Sequence, residues 1–268
     1  MFKEHIADGT VAWVIGAGSG IGQATAVRLA AEGYVVAVSG RRQEQLNETL
    51  QLIEDAGGKG LTATVDVTDD AAVEAAHTRI GETLGRVSLL VCSAGTNVAQ
   101  RWWSDLDPGD FARVVDTNLT AVTRCILKVL PGMRAQGQGQ IVVVSSWAGW
   151  SYMSVAGAAY GASKTALGVL VETLNDQQGR YGIRATHLCP AEVRTPIFMT
   201  RPVPPTEEEL SRMLAPEQIA DAVSYISGLP AEVCVNELVI SSTNNRIYRQ
   251  NSAYTGEPDD NRDPGHSR

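Results

Sequence analysis

A chain of 268 residues, 44% of them hydrophobic, can fill the core of one large α/β domain or two small ones, so disorder is expected only at its ends. Its formal net charge of -8 supplies no basic face for neutralising phosphates and argues against a nucleic-acid partner. The N-terminal residues lack the apolar core of a signal peptide, no run approaches the roughly eighteen apolar residues of a membrane-spanning helix, and Cys92, Cys125, Cys189 and Cys234 form no CxxC pair. A soluble cytoplasmic protein with buried free thiols, no membrane association and no metal site is the expectation.

Val11 to Ile15 is an apolar run ended by glycines, and Ile21 to Ala31 spaces its apolar residues helically, which predicts strand, tight turn and helix. Strands follow at Tyr34 to Ser39, Leu61 to Val65, Leu89 to Cys92, Ile141 to Ser145, Ile183 to Cys189 and Glu237 to Ile240. Between them, helices are predicted over Gln43 to Ala56, Ala71 to Leu84, Asp110 to Arg134, Ala158 to Tyr181 and Pro216 to Ser227. Unbroken β-α alternation implies a single Rossmann-type doubly wound parallel sheet, its strands buried on both faces and its helices in two outer layers. Residues 1–244 form that domain. Two segments depart from the rhythm. The proline-rich stretch 195–215 reads as a loop and short helix, a candidate substrate lid, and the polar tail 245–268 reads as frayed or pinned by a neighbouring subunit.

The first strand runs into Gly16, Gly18, Gly20 and Gly22, and a helix follows at once. Such a turn brings backbone amides and a helix N-terminus against a pyrophosphate. The GxGxxG register fails at Ile21, and GxxxGxG from Gly16, Gly20 and Gly22 fits instead. A purely steric corner is the alternative for glycines alone. After the second strand, where an acidic residue would accept from a ribose, stand Gly40, Arg41 and Arg42. A guanidinium suits a 2′-phosphate, which favours NADP and leaves NAD possible. Solvated arginines at a helix start are the plainer alternative.

With that turn in place, Tyr160-Gly161-Ala162-Ser163-Lys164 marks a resemblance to the classical short-chain dehydrogenase/reductase family along nearly the whole chain. Ser145-Ser146-Trp147-Ala148-Gly149 resembles the family's Ser-Ser-x-Ala-Gly, in which the second serine is catalytic, and Asn118 matches its helical asparagine. The resemblance implies Asn118, Ser146, Tyr160 and Lys164 as the catalytic set. For the cofactor it implies Gly16, Ser19, Gly20, Ile21 and Gly22 at the pyrophosphate and Asp66 and Val67 at the adenine. Ala94 and Gly95 would lie beside the cofactor, with Pro190, Val193 and Thr195 near the nicotinamide and Tyr160 and Lys164 at its ribose. Two departures stand out: Cys92-Ser93 replaces a pair of asparagines, which bears on how that strand end is braced, and Ala191 replaces a glycine.

Tyr160 and Lys164 are four apart on one predicted helix, so they share a face. A free phenol has a pKa near 10, and Lys164 with an oxidised nicotinamide is expected to lower it, making Tyr160 acid in reduction and base in oxidation. Ser146 would hydrogen-bond the substrate oxygen, and Asn118 would support a water on the proton's way out. The expected reaction is hydride transfer between NADP(H) and a ketone or secondary alcohol. An NAD-linked alcohol or sugar dehydrogenase and a cofactor-binding protein without turnover stay open. Trp147, Trp150, Tyr152, Met153, Ile197, Phe198 and Met199 suggest an apolar substrate pocket, with core packing or a subunit interface an equal alternative. Trp102 and Trp103 are equally ambiguous. The resemblance also implies a homo-oligomer, a dimer or tetramer.

Overall fold

The computed structural model describes residues 9–201, 204–245 and 247–248, and for Met199 and Thr200 the backbone only. Seven parallel strands form one sheet: β1 (Val11–Ile15), β2 (Val35–Gly40), β3 (Lys59–Thr64), β4 (Val87–Cys92), β5 (Gly139–Val144), β6 (Ile183–Pro190) and β7 (Glu237–Ile240). Their order is β3-β2-β1-β4-β5-β6-β7, and every neighbouring pair is parallel. The helices are α1 (Gly20–Ala31), α2 (Gln43–Asp55), α3 (Asp70–Thr83), α4 (Pro108–Val115), α5 (Ala121–Gln136), α6 (Trp147–Trp150), α7 (Ala158–Gln178), α8 (Glu207–Ser211) and α9 (Pro216–Ser227).

Strand alternation builds two cores. Along β4, Leu89 and Val91 face the layer of α1, α2 and α9, while Leu90 and Cys92 face that of α3, α5 and α7. The central strands are apolar on both faces because helices cover both. Trp13 sits fully buried in β1, and its indole N–H is satisfied by the Ser39 hydroxyl at 2.8 Å. Burial on both sides fails at the edges: β3 and β7 are largely half-exposed, as edge strands with one neighbour must be.

The predicted helix from Asp110 to Arg134 is interrupted. Asp116–Thr120 forms a π-helical turn between α4 and α5, where the Ala121 amide bonds back to Asp116. The last predicted turn of α7, Gly179–Tyr181, tightens to a 3-10 helix. The proline-rich segment contains a 3-10 helix, Pro196–Thr200, and α8, capped by reciprocal hydrogen bonds between Thr206 and Glu209. Its base is pinned, since Val193 and Leu214 bridge in parallel and Leu214 N–H donates to Glu192 O at 2.9 Å. Of the tail, Asn245 and Ile247 are buried and Tyr248 stacks edge-on against Trp147 at 5.3 Å, so these residues are held by their own chain. The tail from 249 onward lies outside the described residues.

Reversal of strand order at β1 and β4 opens a crevice at the C-terminal ends of the strands, because the connections leave β1 and β4 toward opposite faces. The functional residues gather around that crevice.

Candidate active site

A cleft of about 500 Å³ runs along the strand ends. At one end lies the glycine turn. Gly16 has φ +80°, and a Cβ there would fall 2.6 Å from the Ala94 nitrogen. Gly20 has φ +55°, and its Cβ would fall 2.9 Å from the Thr195 methyl. A Cβ on Gly22 would strike the Gly16 carbonyl oxygen at 2.2 Å. At Gly18 the nearest atoms would be 3.3 Å away on the Gln45 side chain, so Gly16, Gly20 and Gly22 are the three that need glycine. Gly16, Ser19, Gly20 and Ile21 line the cleft at the α1 N-terminus, whereas Gly22 lies behind it and sets the approach of helix to turn.

Arg41, Arg42, Asp66 and Val67 line the same end. Asp66 accepts from the Thr68 amide at 3.0 Å and hydroxyl at 2.7 Å, which holds its carboxyl below the ordinary carboxylate range, with help from the Arg41 charge. Farther along come Ala94, Gly95, Pro190, Val193 and Thr195. Ala191 continues the sheet without disturbance, its amide donating to Ile240 O at 2.8 Å. These residues fit a pyrophosphate dinucleotide: the turn leaves out the side chains that would fill it, the α1 N-terminus opens onto the cleft, and Arg41 and Arg42 supply cations at the same end.

Ser146 and Tyr160 both line the cleft, and the Ser146 hydroxyl stands near enough to the phenol to favour its ionised form. Adjacent residues leaving a strand point opposite ways, and this separates the two serines. Ser145 donates to Lys164 O at 3.1 Å, so its hydroxyl ties β5 to α7, while Ser146 caps α6 and meets Tyr160. Lys164 is buried, its Nζ donates to Val144 O at 2.9 Å and lies 5.7 Å from the Tyr160 ring centre. Burial lowers its pKa from 10.5 to about 8.

Burial pushes the Tyr160 phenol above its ordinary value of 10. The groups opposing that rise in the cofactor-free protein are Ser146 first, then Arg201 and Arg101. Lys164 keeps its ammonium beside the phenol ring while donating to the Val144 carbonyl oxygen. Asn118 does not line the cleft. It is fully buried behind the cleft, with Oδ1 accepting from Thr96 N at 2.8 Å and Nδ2 donating to Thr96 O at 2.9 Å and Ser163 Oγ at 3.1 Å. Its side chain braces the β4 loop against α7. That brace, together with Ser93 N–H donating to Ile15 O at 2.9 Å, holds the strand end where the asparagine pair is missing.

The substrate end is apolar on one side, with Trp147, Met153, Val155, Ala156, Ile197 and Phe198. Trp102, Trp103, Trp150 and Tyr152 line an adjoining depression instead, and the Met199 side chain lies outside the described residues. Sequence reasoning missed Arg101 and Arg201, which also line the substrate end. Neither stands in a motif, and only the fold brings the loop after β4 to the lid.

The thiol expectation fails at one position: Cys92, Cys125 and Cys189 are buried, but Cys234 is exposed in the loop before β7. His187, Cys189 and Glu237 place ligand-type atoms within 4.8 Å of one another. His187 Nδ1 pairs with Glu237 at 3.0 Å, and burial pushes the Cys189 thiol up to about 12, which opposes the thiolate that a metal would need.

Comparison with known proteins decides the family. The short chain dehydrogenase family model matches residues 10–204. The chain belongs to the short chain dehydrogenase family. It is therefore an oxidoreductase acting on CH–OH groups. The chain is 31% identical over 234 residues to cis-4-hydroxycyclohexanecarboxylate dehydrogenase of Sinomonas cyclohexanicum, covering 85% of this chain and 93% of that one. It is 32% identical over 237 residues to glycine betaine reductase ATRR of Emericella nidulans, covering 87% of this chain but only 18% of that much longer protein. Among solved structures, a single-residue variant of actinorhodin polyketide ketoreductase with NADPH superposes with a TM-score of 0.79 at 32% identity, covering 87% of this chain and 96% of that one. No helix among the described residues is long and apolar enough to cross a membrane.

Proposed function

We propose that the protein transfers a hydride between NADP(H) and a ketone or secondary alcohol, with Tyr160 moving the proton. The observation that carries the reading is the convergence of Ser146, Tyr160 and buried Lys164 in one cleft that opens onto the glycine turn. NADP is favoured by Arg41 and Arg42 at the ribose corner and by the NADPH held in the similar ketoreductase. When bound, the nicotinamide supplies or accepts the hydride. Tyr160 gives its proton to the oxygen of a carbonyl substrate, and Ser146 orients that oxygen and stabilises its growing charge. Lys164, which lines the cleft, would hold the nicotinamide ribose and anchors the strand end through Val144. Asn118 acts as a positioning residue that keeps Thr96 and α7 in register.

Segment 195–215, hinged at the Val193–Leu214 bridge, serves as the substrate lid. The free thiols fit a reducing cytoplasm, and the assembly is a homo-oligomer. The test is a broad carbonyl panel assayed with NADPH and NADH. Reduction should run preferentially on NADPH, and Tyr160→Phe should lose at least about a thousandfold in kcat while cofactor titrations change little. Retained turnover in Tyr160→Phe would overturn the assignment, and a clear NADH preference would remove the role given to Arg41 and Arg42.

A further inference from the structure

We infer that Gln45 receives the adenosine ribose of the cofactor, its Oε1 accepting a hydrogen bond from the ribose 3′-hydroxyl in place of the carboxylate that the end of β2 lacks. The inference rests on the NADP-linked oxidoreductase reading and adds to it the residue that holds a ribose hydroxyl without repelling a 2′-phosphate.

Gln45 stands in the first turn of α2 and lines the same end of the cleft as Gly18, Arg41 and Arg42. Its Oε1 is shielded from solvent and accepts no hydrogen bond from the described residues. An amide oxygen withdrawn from water without a donor is unfavourable, so one buried in a cleft wall points to a ligand that brings the donor. The amide lies over the glycine turn, since a Cβ added at Gly18 would stand 3.3 Å from both Cβ and Oε1 of Gln45. Its root is fixed there. Thr49, fully buried one turn further along α2, donates to the Ala17 carbonyl oxygen at 2.8 Å and accepts from Gln23 Nε2 at 3.0 Å.

Turning back on its own helix is the usual alternative for such a residue. A glutamine at the third helical position accepts from the amide of the capping residue, as Gln218 does in α9 with the Ala215 N–H at 2.8 Å. Gln45 holds the same position behind Arg42 and leaves that bond unmade.

A carboxylate after the second strand would accept from the ribose hydroxyls and repel a phosphate at the 2′ position. Phosphorylation there leaves the 3′-hydroxyl as the donor. This chain has Gly40 and Arg41 at that corner. Among the described residues lining the cleft the carboxylates are Asp66 and Glu192, and neither takes the place. Asp66 follows β3 and accepts from the Thr68 amide and hydroxyl, while Glu192 pairs with Arg201 at the substrate end. Gln45 supplies an acceptor without charge, beside two guanidinium groups suited to the phosphate.

The test is nucleotide binding to the whole protein. NADPH and NADH are titrated by fluorescence, and NAD is compared by calorimetry with nicotinamide 3′-deoxyadenine dinucleotide, which lacks only the 3′-hydroxyl. The wild type should favour NAD over the deoxy compound by about three- to tenfold, the worth of one neutral hydrogen bond. Gln45→Met, close in shape and without the amide, should weaken NADPH and NADH alike by about that factor and lose the preference for the hydroxyl. Gln45→Glu keeps the acceptor but adds charge, so NADPH should weaken by about tenfold or more while NADH changes little. No hydroxyl preference in the wild type, a preference that survives in Gln45→Met, or an unmoved NADPH-to-NADH ratio in Gln45→Glu would overturn the inference. A loss in Gln45→Met confined to NADPH would place the amide on the 2′-phosphate and overturn it equally. A wild type that binds none of these nucleotides would instead overturn the oxidoreductase reading. Should one variant not fold, the other and the wild-type comparison still decide.

Discussion

At the scale of single residues, the glycine turn separates steric need from habit. Gly16 combines a left-handed backbone with a virtual Cβ inside the Ala94 amide, whereas Gly18 meets only the movable end of Gln45. Gly16→Ala should weaken NADPH binding about tenfold or more, since a strained turn costs on the order of 1–3 kcal/mol, and Gly18→Ala should stay near wild type. Fluorescence titration of NADPH reads both, and equal losses would remove the distinction. The phenol carries a second prediction. Burial raises Tyr160 above 10 in the free protein, so it holds its proton throughout neutral pH, ready as the acid for reduction. Oxidation needs the phenolate and should quicken as pH rises through the alkaline range, while reduction stays level near neutrality and declines only at high pH. An oxidation rate that peaks at or below pH 7 would contradict the assignment. The chain makes only part of this legible: the Tyr160–Lys164 spacing names the helix face, but the approach of Arg101 and Arg201 to the phenol from distant loops is made by the fold.

At the scale of elements, the strands were legible because a strand covered on both faces is a short continuous apolar run, as in Val11–Ile15, and the helices because their glycines, prolines and caps mark their ends. The π-helical turn at Asp116–Thr120 was not, since nothing local distinguishes it from α-helix. Its consequence is tertiary: it belongs to the stretch that delivers Asn118 to Thr96 and Ser163, joining the β4 loop, the α4–α5 junction and α7. Removing the amide leaves buried backbone groups of Thr96 without partners, at about 1–3 kcal/mol. Asn118→Ala should therefore lower Tm by roughly 5 °C and reduce kcat more than NADPH affinity. Asn118→Asp, which keeps the acceptor for the Thr96 amide but sets a buried carboxylate against the Thr96 carbonyl oxygen, should recover none of that stability. Unchanged melting in Asn118→Ala would show that the brace is not structural.

At the scale of the whole molecule, the reversal of strand order sets the cleft at one end of the sheet and leaves the outer helix faces for other uses. In the layer of α3, α5 and α7, the inner faces are buried through Ile126, Val129, Leu167 and Val171. The outer faces present Leu127, 60% exposed on α5, and Val169, 72% exposed on α7. Single exposed apolar residues are ordinary, but two on the solvent face of one helix layer give a second copy a place to pack. Light scattering should therefore give a dimer or tetramer mass and not that of one 28.6 kDa chain. Leu127→Glu with Val169→Glu would place like charges where the faces meet, and the mass should fall toward one chain while NADPH binding, built entirely at the far strand ends, persists. A wild-type mass of one chain would refute the oligomer, and an unchanged mass in the double variant would move the interface to another face.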